Sequence, residues 1–182
     1  MVKKRIPKKE YYMNITKEVS KRSTCFRDRI GAMIVKDDQI ISTGYIGAPR
    51  KTKDCFEHGF CLRTRMGIPH GHRYELCRSV HAEMNAIINA ARAGVSIIGG
   101  DMYIYGETSK GEPIDVMPCF ICKKMIINAG IKNVFCSTKS GTIKEFKVSK
   151  WVEDWMKNDI IDDKYQYGKG QKIYTEEELK DI

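Results

Sequence analysis

The apolar positions of residues 8–23 fall at Tyr12, Ile15 and Val19, the three-to-four spacing of a helix with one wet side. Residues 30–35 and 39–45 are instead rich in β-formers, and Lys36-Asp37-Asp38 between them predicts a hairpin. Across 46–78 the periodicity lapses into Gly, Pro, His and Cys, which we read as a long, ligand-rich insertion. Residues 80–93 (VHAEMNAIINAARA) predict a helix closed by Gly94. Its Val80, Met84, Ile87, Ile88 and Ala91 are apolar and alanines fill the other sides, so burial nearly all round is expected. Residues 101–106 read as a strand and 107–117 as a turn-rich loop. Pro118 opens a helix that runs through Ala129 and stops at Gly130. A strand over 131–136 follows, then a fifth over 143–148 and a short amphipathic helix over 149–158 with Trp151 and Trp155 as core or interface anchors. The last twenty residues are polar and suggest a partly ordered tail.

A hairpin followed by βαβ crossovers gives a mixed sheet with helices on its faces, an α/β fold. At 182 residues the chain suits one domain with a real core. No apolar run approaches the ~20 residues of a membrane span, and the basic Met1–Arg5 start leads into no apolar signal core. A cytoplasmic protein without a membrane partner is expected.

Charge narrows the partners only in part. Lys and Arg exceed Asp and Glu by 32 to 23, and the net +9 favours nucleotides or polynucleotides over cationic ligands. A solvated basic surface would look the same. The Lys3–Lys9 segment reads as such a tail, while Arg27, Arg29 and Arg50 are candidate forks for a phosphate. Seven cysteines, an odd number with no secretory signal, argue for metal ligands or reactive thiols rather than a disulfide framework.

Two short motifs carry the chemistry: His81-Ala82-Glu83 and Pro118-Cys119-Phe120-Ile121-Cys122, each at a predicted helix start. Cysteines three apart on a helix project from one face, so Cys119 and Cys122 can reach one ion. The positive helix end favours thiolate. With His81 as a third ligand, a tetrahedral Zn2+ keeps a place for water, the mark of a catalytic rather than structural site. A water held there ionises at a pKa of roughly 7. Glu83 lies about 200° round an ideal helix from His81. The two converge only if both border the site from the first turn, where Glu83 moves protons instead of ligating. A structural zinc or a redox pair is the plainer alternative.

Those motifs match the H-x-E and P-C-x-x-C signature of zinc base deaminases. With Ser23-Thr24-Cys25, Gly31–Val35, Ile40–Tyr45, Gly47-Ala48-Pro49, His81–Ile87 and Ile126–Ile131, the chain resembles the deoxycytidylate (dCMP) deaminase branch of the cytidine-deaminase-like superfamily over roughly 10–137. The resemblance implies a three-layer α/β/α sandwich around a mixed five-stranded sheet. It also implies hydrolytic conversion of dCMP to dUMP with release of ammonia, a small-molecule nucleotide substrate, and a homo-oligomer such as a hexamer controlled by deoxynucleoside triphosphates. The main-chain amide at Ala82 would hold the pyrimidine O2. One departure stands out: the family's Gly-Tyr-Asn-Gly is Gly44-Tyr45-Ile46-Gly47 here. Isoleucine makes no hydrogen bond to base, sugar or effector, so the usual substrate should bind less well or a different one be accepted.

Some family members carry a structural zinc near the insertion. By that resemblance Cys25 and Cys55 match two ligands, His72 lies one residue from a third, and Ser79 stands where the fourth is expected, leaving Cys77, with Cys61 behind it, as the nearest replacement. The alternative is that these are buried, satisfied cysteines. Two other classes of function remain beside the nucleotide deaminase: a base deaminase acting on RNA or single-stranded DNA, and a non-enzymatic two-zinc binding module.

Overall fold

A computed structural model describes residues 5–69 and 71–157. Helix α1 (Lys8–Ser20) leads into strands β1 (Asp28–Lys36) and β2 (Gln39–Tyr45). Asp37 and Asp38 between them both have positive φ, 51° and 64°, the mirror-image turn that suits the right-handed twist of a two-residue hairpin. Asp38 is held by Lys8 and accepts a hydrogen bond from the Tyr12 hydroxyl at 3.2 Å. The expected basic tail is thus partly recruited: Lys8 and Lys9 open α1, and Lys9 pairs with Glu145 at 2.6 Å.

The insertion is less formless than its composition suggests. It holds two one-turn helices, α2 (Cys55–His58) and α3 (Leu62–Arg65), and a 3-10 turn at Tyr74–Leu76. Asp54 and Glu57 cap α2 reciprocally, each carboxylate accepting from the other's main-chain N–H. Then follow α4 (Ala82–Arg92), β3 (Asp101–Thr108), α5 (Phe120–Asn128), β4 (Asn133–Ser137), β5 (Ile143–Lys147) and α6 (Val148–Lys157).

The five strands form one sheet in the order β2-β1-β3-β4-β5. β3 and β4 are parallel, and the other neighbours are antiparallel. Alternation along the strands makes two cores. Ala32, Ile34, Met102, Ile104, Val134 and Cys136 face α4 and α5; Met33, Val35, Tyr103, Tyr105 and Phe135 face Tyr12 and Met13 of α1. The result is a three-layer α/β/α sandwich around a mixed sheet.

The buried side of α4 differs from expectation. Ala82, Ala86 and Ala90 are covered, whereas Ile88 is 41% exposed and Ala91 lies outside. The cause is close approach: a Cβ at Gly44 of β2 would stand 2.3 Å from both the Ala82 oxygen and the Ala86 nitrogen. Only small residues fit between backbones that near. Ser42 donates to the Ala86 carbonyl at 2.6 Å, while Asn85 and Asn89 donate to the Tyr45 and Thr43 carbonyls at 2.8 Å each. The two asparagine bonds occupy β2 carbonyls at the edge of the sheet. At the far end Trp151 is buried against the same core as α5, and Trp155 packs on Phe120 with ring centres 5.4 Å apart. The C-terminal tail anticipated from the sequence lies outside the described residues.

Candidate active site

The first ligand of each motif sits just outside its helix, while Glu83 and Cys122 lie within the first turn. His81 is the N-cap of α4, with extended backbone (φ −68°, ψ 154°), and Cys119 is the N-cap of α5 (φ −65°, ψ 169°). Pro118 therefore precedes the cap instead of opening the helix. This settles the angular difficulty. A residue with ψ near 150° leaves the helical wheel, so His81 and Glu83 can face one place although separated by one residue. Cys119 and Cys122 stand at the N-cap and third helical positions, a pair whose side chains meet as in a capping interaction.

His81 Nδ1 lies 3.4 Å from Cys119 Sγ and 3.3 Å from Cys122 Sγ. Zn–S and Zn–N bonds in tetrahedral geometry put such atoms about 3.6 Å apart, so the cluster needs only a few tenths of an ångström of relaxation to hold that ion. Two sulfurs and one imidazole also suit zinc by donor type. Among the described residues it is the one group of three His, Cys, Asp or Glu donors within 4.8 Å of one another.

The ionisation pattern is that of a crowded anionic cluster. The Cys119 thiol is pulled down to about 4, first by the hydrogen bond it accepts from Cys122, against burial, and then by the imidazole. Cys122 is raised because it keeps the shared proton. His81 is disfavoured as a cation by burial, but the Cys119 and Glu83 anions outweigh this and raise it. Glu83 is 6% exposed, and burial raises its carboxyl above the ordinary range, with His81 acting the other way.

A cleft opens over this cluster, lined by Arg27, Ile46, Arg63, Tyr74 and Met117 together with His81, Glu83 and Cys119. Ala82 is fully buried at the start of α4, behind the His81 cap. Of the candidate arginines Arg27 lines the cleft; Arg29 pairs with Glu107 at 3.3 Å, and Arg50 bonds Asn89 at 2.6 Å on the surface. Sequence reasoning missed Tyr74 and Arg63. The Tyr74 ring meets His81 edge-on at 4.7 Å, and the Arg63 guanidinium lies 4.6 Å over the Tyr74 ring. No spacing signal could have found them, because the insertion that carries them has no period.

Cys25 and Cys77 line the cleft. Cys55 is buried, with its sulfur 4.0 Å from the Ser79 hydroxyl. Burial raises the Cys25 and Cys55 thiols, and each feels Cys77. No three donors among Cys25, Cys55, His72 and Cys77 approach within 4.8 Å of one another; His72 is half-buried.

Residues 6–138 match the family model described as the cytidine and deoxycytidylate deaminase zinc-binding region. The chain is 34% identical over 128 residues to the deoxycytidylate deaminase of Schizosaccharomyces pombe, covering 70% of this chain and 36% of that protein. It thus spans little more than a third of that relative's length. To the deoxycytidylate deaminase of Mycobacterium phage D29 it is 33% identical, covering 69% of this chain and 90% of the relative. The cyanophage S-TIM5 dCMP deaminase, solved with dCMP and dUMP, superposes with a TM-score of 0.52 at 29% identity, over 72% of this chain and 82% of that one.

Proposed function

Since the chain belongs to the cytidine and deoxycytidylate deaminase family, we propose that it hydrolyses the 4-amino group of a cytosine nucleotide, dCMP to dUMP, with release of ammonia. The observation that carries this reading is Glu83, buried beside a cluster of one nitrogen and two sulfurs to which, among the described residues, no fourth His, Cys, Asp or Glu donor comes within 4.8 Å of all three. His81, Cys119 and Cys122 would hold zinc, which when bound supplies a water ionised near neutral pH.

Glu83 accepts the proton that water loses as its oxygen joins C4 of the base. It passes that proton to N3 of the ring, then takes the proton left on the new C4 hydroxyl and hands it to the departing nitrogen, so that dCMP and water become dUMP and ammonia. A carboxyl raised by burial suits both halves of that exchange. The Ala82 main-chain N–H, freed at the helix start, is the donor assigned to the pyrimidine O2. Ile46 lines the cleft where a hydrogen-bonding residue stands in the family pattern, so binding there rests on shape rather than polarity.

We also assign Cys25, Cys55, Cys77 and His72 to a second, structural zinc that ties the insertion to β1. Their thiols are close enough to influence one another, and an ion would draw them together. Metal analysis should give two zinc ions per chain, falling to one in Cys55→Ser.

Absorbance assays over dCMP, CMP and deoxycytidine test the main reading. Glu83→Ala should retain the catalytic metal yet lose about 10²–10⁴ of turnover, the usual contribution of a positioned acid–base. Full ammonia release by that variant would refute the role.

A further inference from the structure

Arg63 is buried at 4% exposure, although it is an arginine on a one-turn helix of an irregular insertion. Only part of its guanidinium is accounted for. One terminal nitrogen donates to the Pro69 carbonyl at 3.1 Å and the plane lies over Tyr74, while the buried Nε–H has no partner. Arg27 shows the same pattern. Its Nε donates to the Thr64 hydroxyl at 3.1 Å and one terminal nitrogen to the Ile68 carbonyl at 2.8 Å, leaving the other terminal nitrogen buried and unpaired.

Both side chains line the cleft that holds His81 and Glu83. A buried unsatisfied N–H on a cation costs more than a neutral one, so two of them in one cleft are a feature to be explained. An oxyanion would satisfy both, because guanidinium forks match phosphate geometry. Asp28 and Asp115 also line the cleft; their charge would repel an anion there unless guanidinium donors received it. The insertion bonds fix Arg27 and Arg63 together: Arg27 is anchored on Thr64, the residue after Arg63.

We propose that Arg63, carried into the cleft by the insertion, joins Arg27 to bind the 5′-phosphate monoester of the nucleotide and so makes the site select nucleotide over nucleoside. This rests on the deaminase reading above. Arg63 is a binding residue here, and its support of Tyr74 and His81 is a separate, structural contribution.

Two measurements keep the readings apart. The ratio of kcat/KM for dCMP over deoxycytidine should fall about 10- to 100-fold in Arg63→Met, the range for loss of a charge-assisted bond, with Arg63→Lys between the two. Equal losses on both substrates would mean that Arg63 only props Tyr74 and His81, and would overturn the proposal. Independently of turnover, inorganic phosphate at constant ionic strength should raise the melting temperature of the wild-type holoprotein and not that of Arg63→Met. An equal shift in both, or none in the wild type, also overturns it. Phosphate stabilisation that depends on Arg63, in a protein that releases no ammonia from any nucleotide, would uphold the anion site and sink the deaminase reading instead.

Discussion

Glu83 is an ionisable carboxyl in a dry place, and burial opposes its charge. Its folded pKa is raised by burial from an unfolded value of about 4.3. The folded state therefore binds this proton more tightly, and the carboxyl's share of stability declines as pH rises through that window. In chelator-treated protein Glu83→Gln, which has no proton to lose, should gain on the wild type progressively as pH rises above the unfolded value of about 4.3. Urea titrations across that range measure the gap; a constant gap would show that Glu83 does not ionise against burial. The sulfur pair makes a related prediction. With Cys119 already ionised and Cys122 keeping the proton, adding zinc to stripped protein at neutral pH should acidify a weakly buffered solution. Without proton release, Cys122 is no ligand.

At the scale of elements, the site is assembled from helix beginnings. α4 and α5 each place their first chemical residue at the cap, where extended backbone turns a side chain away from the helical face. α4 is then set against the sheet by its alanines, by Gly44, and by the Asn85 and Asn89 bonds to β2. Gly44→Ala forces the helix outward, since the new methyl meets main-chain atoms that cannot rotate aside. We expect a loss of about 2–4 kcal/mol together with weaker metal retention, because His81 moves with the helix start. Calorimetry with metal analysis reads both, and unchanged zinc affinity in a destabilised variant would show that the helix start is held by other contacts.

Across the whole molecule, the cleft is shared by segments far apart in the chain: the approach to β1, the insertion, the start of α4, the loop before α5 and Cys119. A metal joining His81 to Cys119 and Cys122 bridges two of them, so it should stabilise the fold as well as equip it. Chelation should lower the melting temperature by several degrees, in line with stabilisation that grows with free metal over Kd. A melting curve indifferent to chelator would mean that the two helix starts are fully held by packing.

Much of this was legible because the rules involved are local. Runs of β-forming residues marked the strands, and glycine after residues 80–93 and 118–129 marked helix ends. The two motifs named four chemical residues because the spacing of a cap and its first turn brings such neighbours together. Tertiary structure decided what depends on distant backbones. Alanine, not isoleucine, became the buried face of α4 because Gly44 lets two main chains nearly touch. Arg63 and Tyr74 entered the cleft through an aperiodic insertion whose path no spacing records. Arg29 and Arg50 found partners elsewhere, and Cys25, Cys55 and Cys77 were gathered without reaching the distances of a closed cluster. Local spacing encodes which groups can share an ion, whereas the shape of the space above that ion is a sum of long-range contacts.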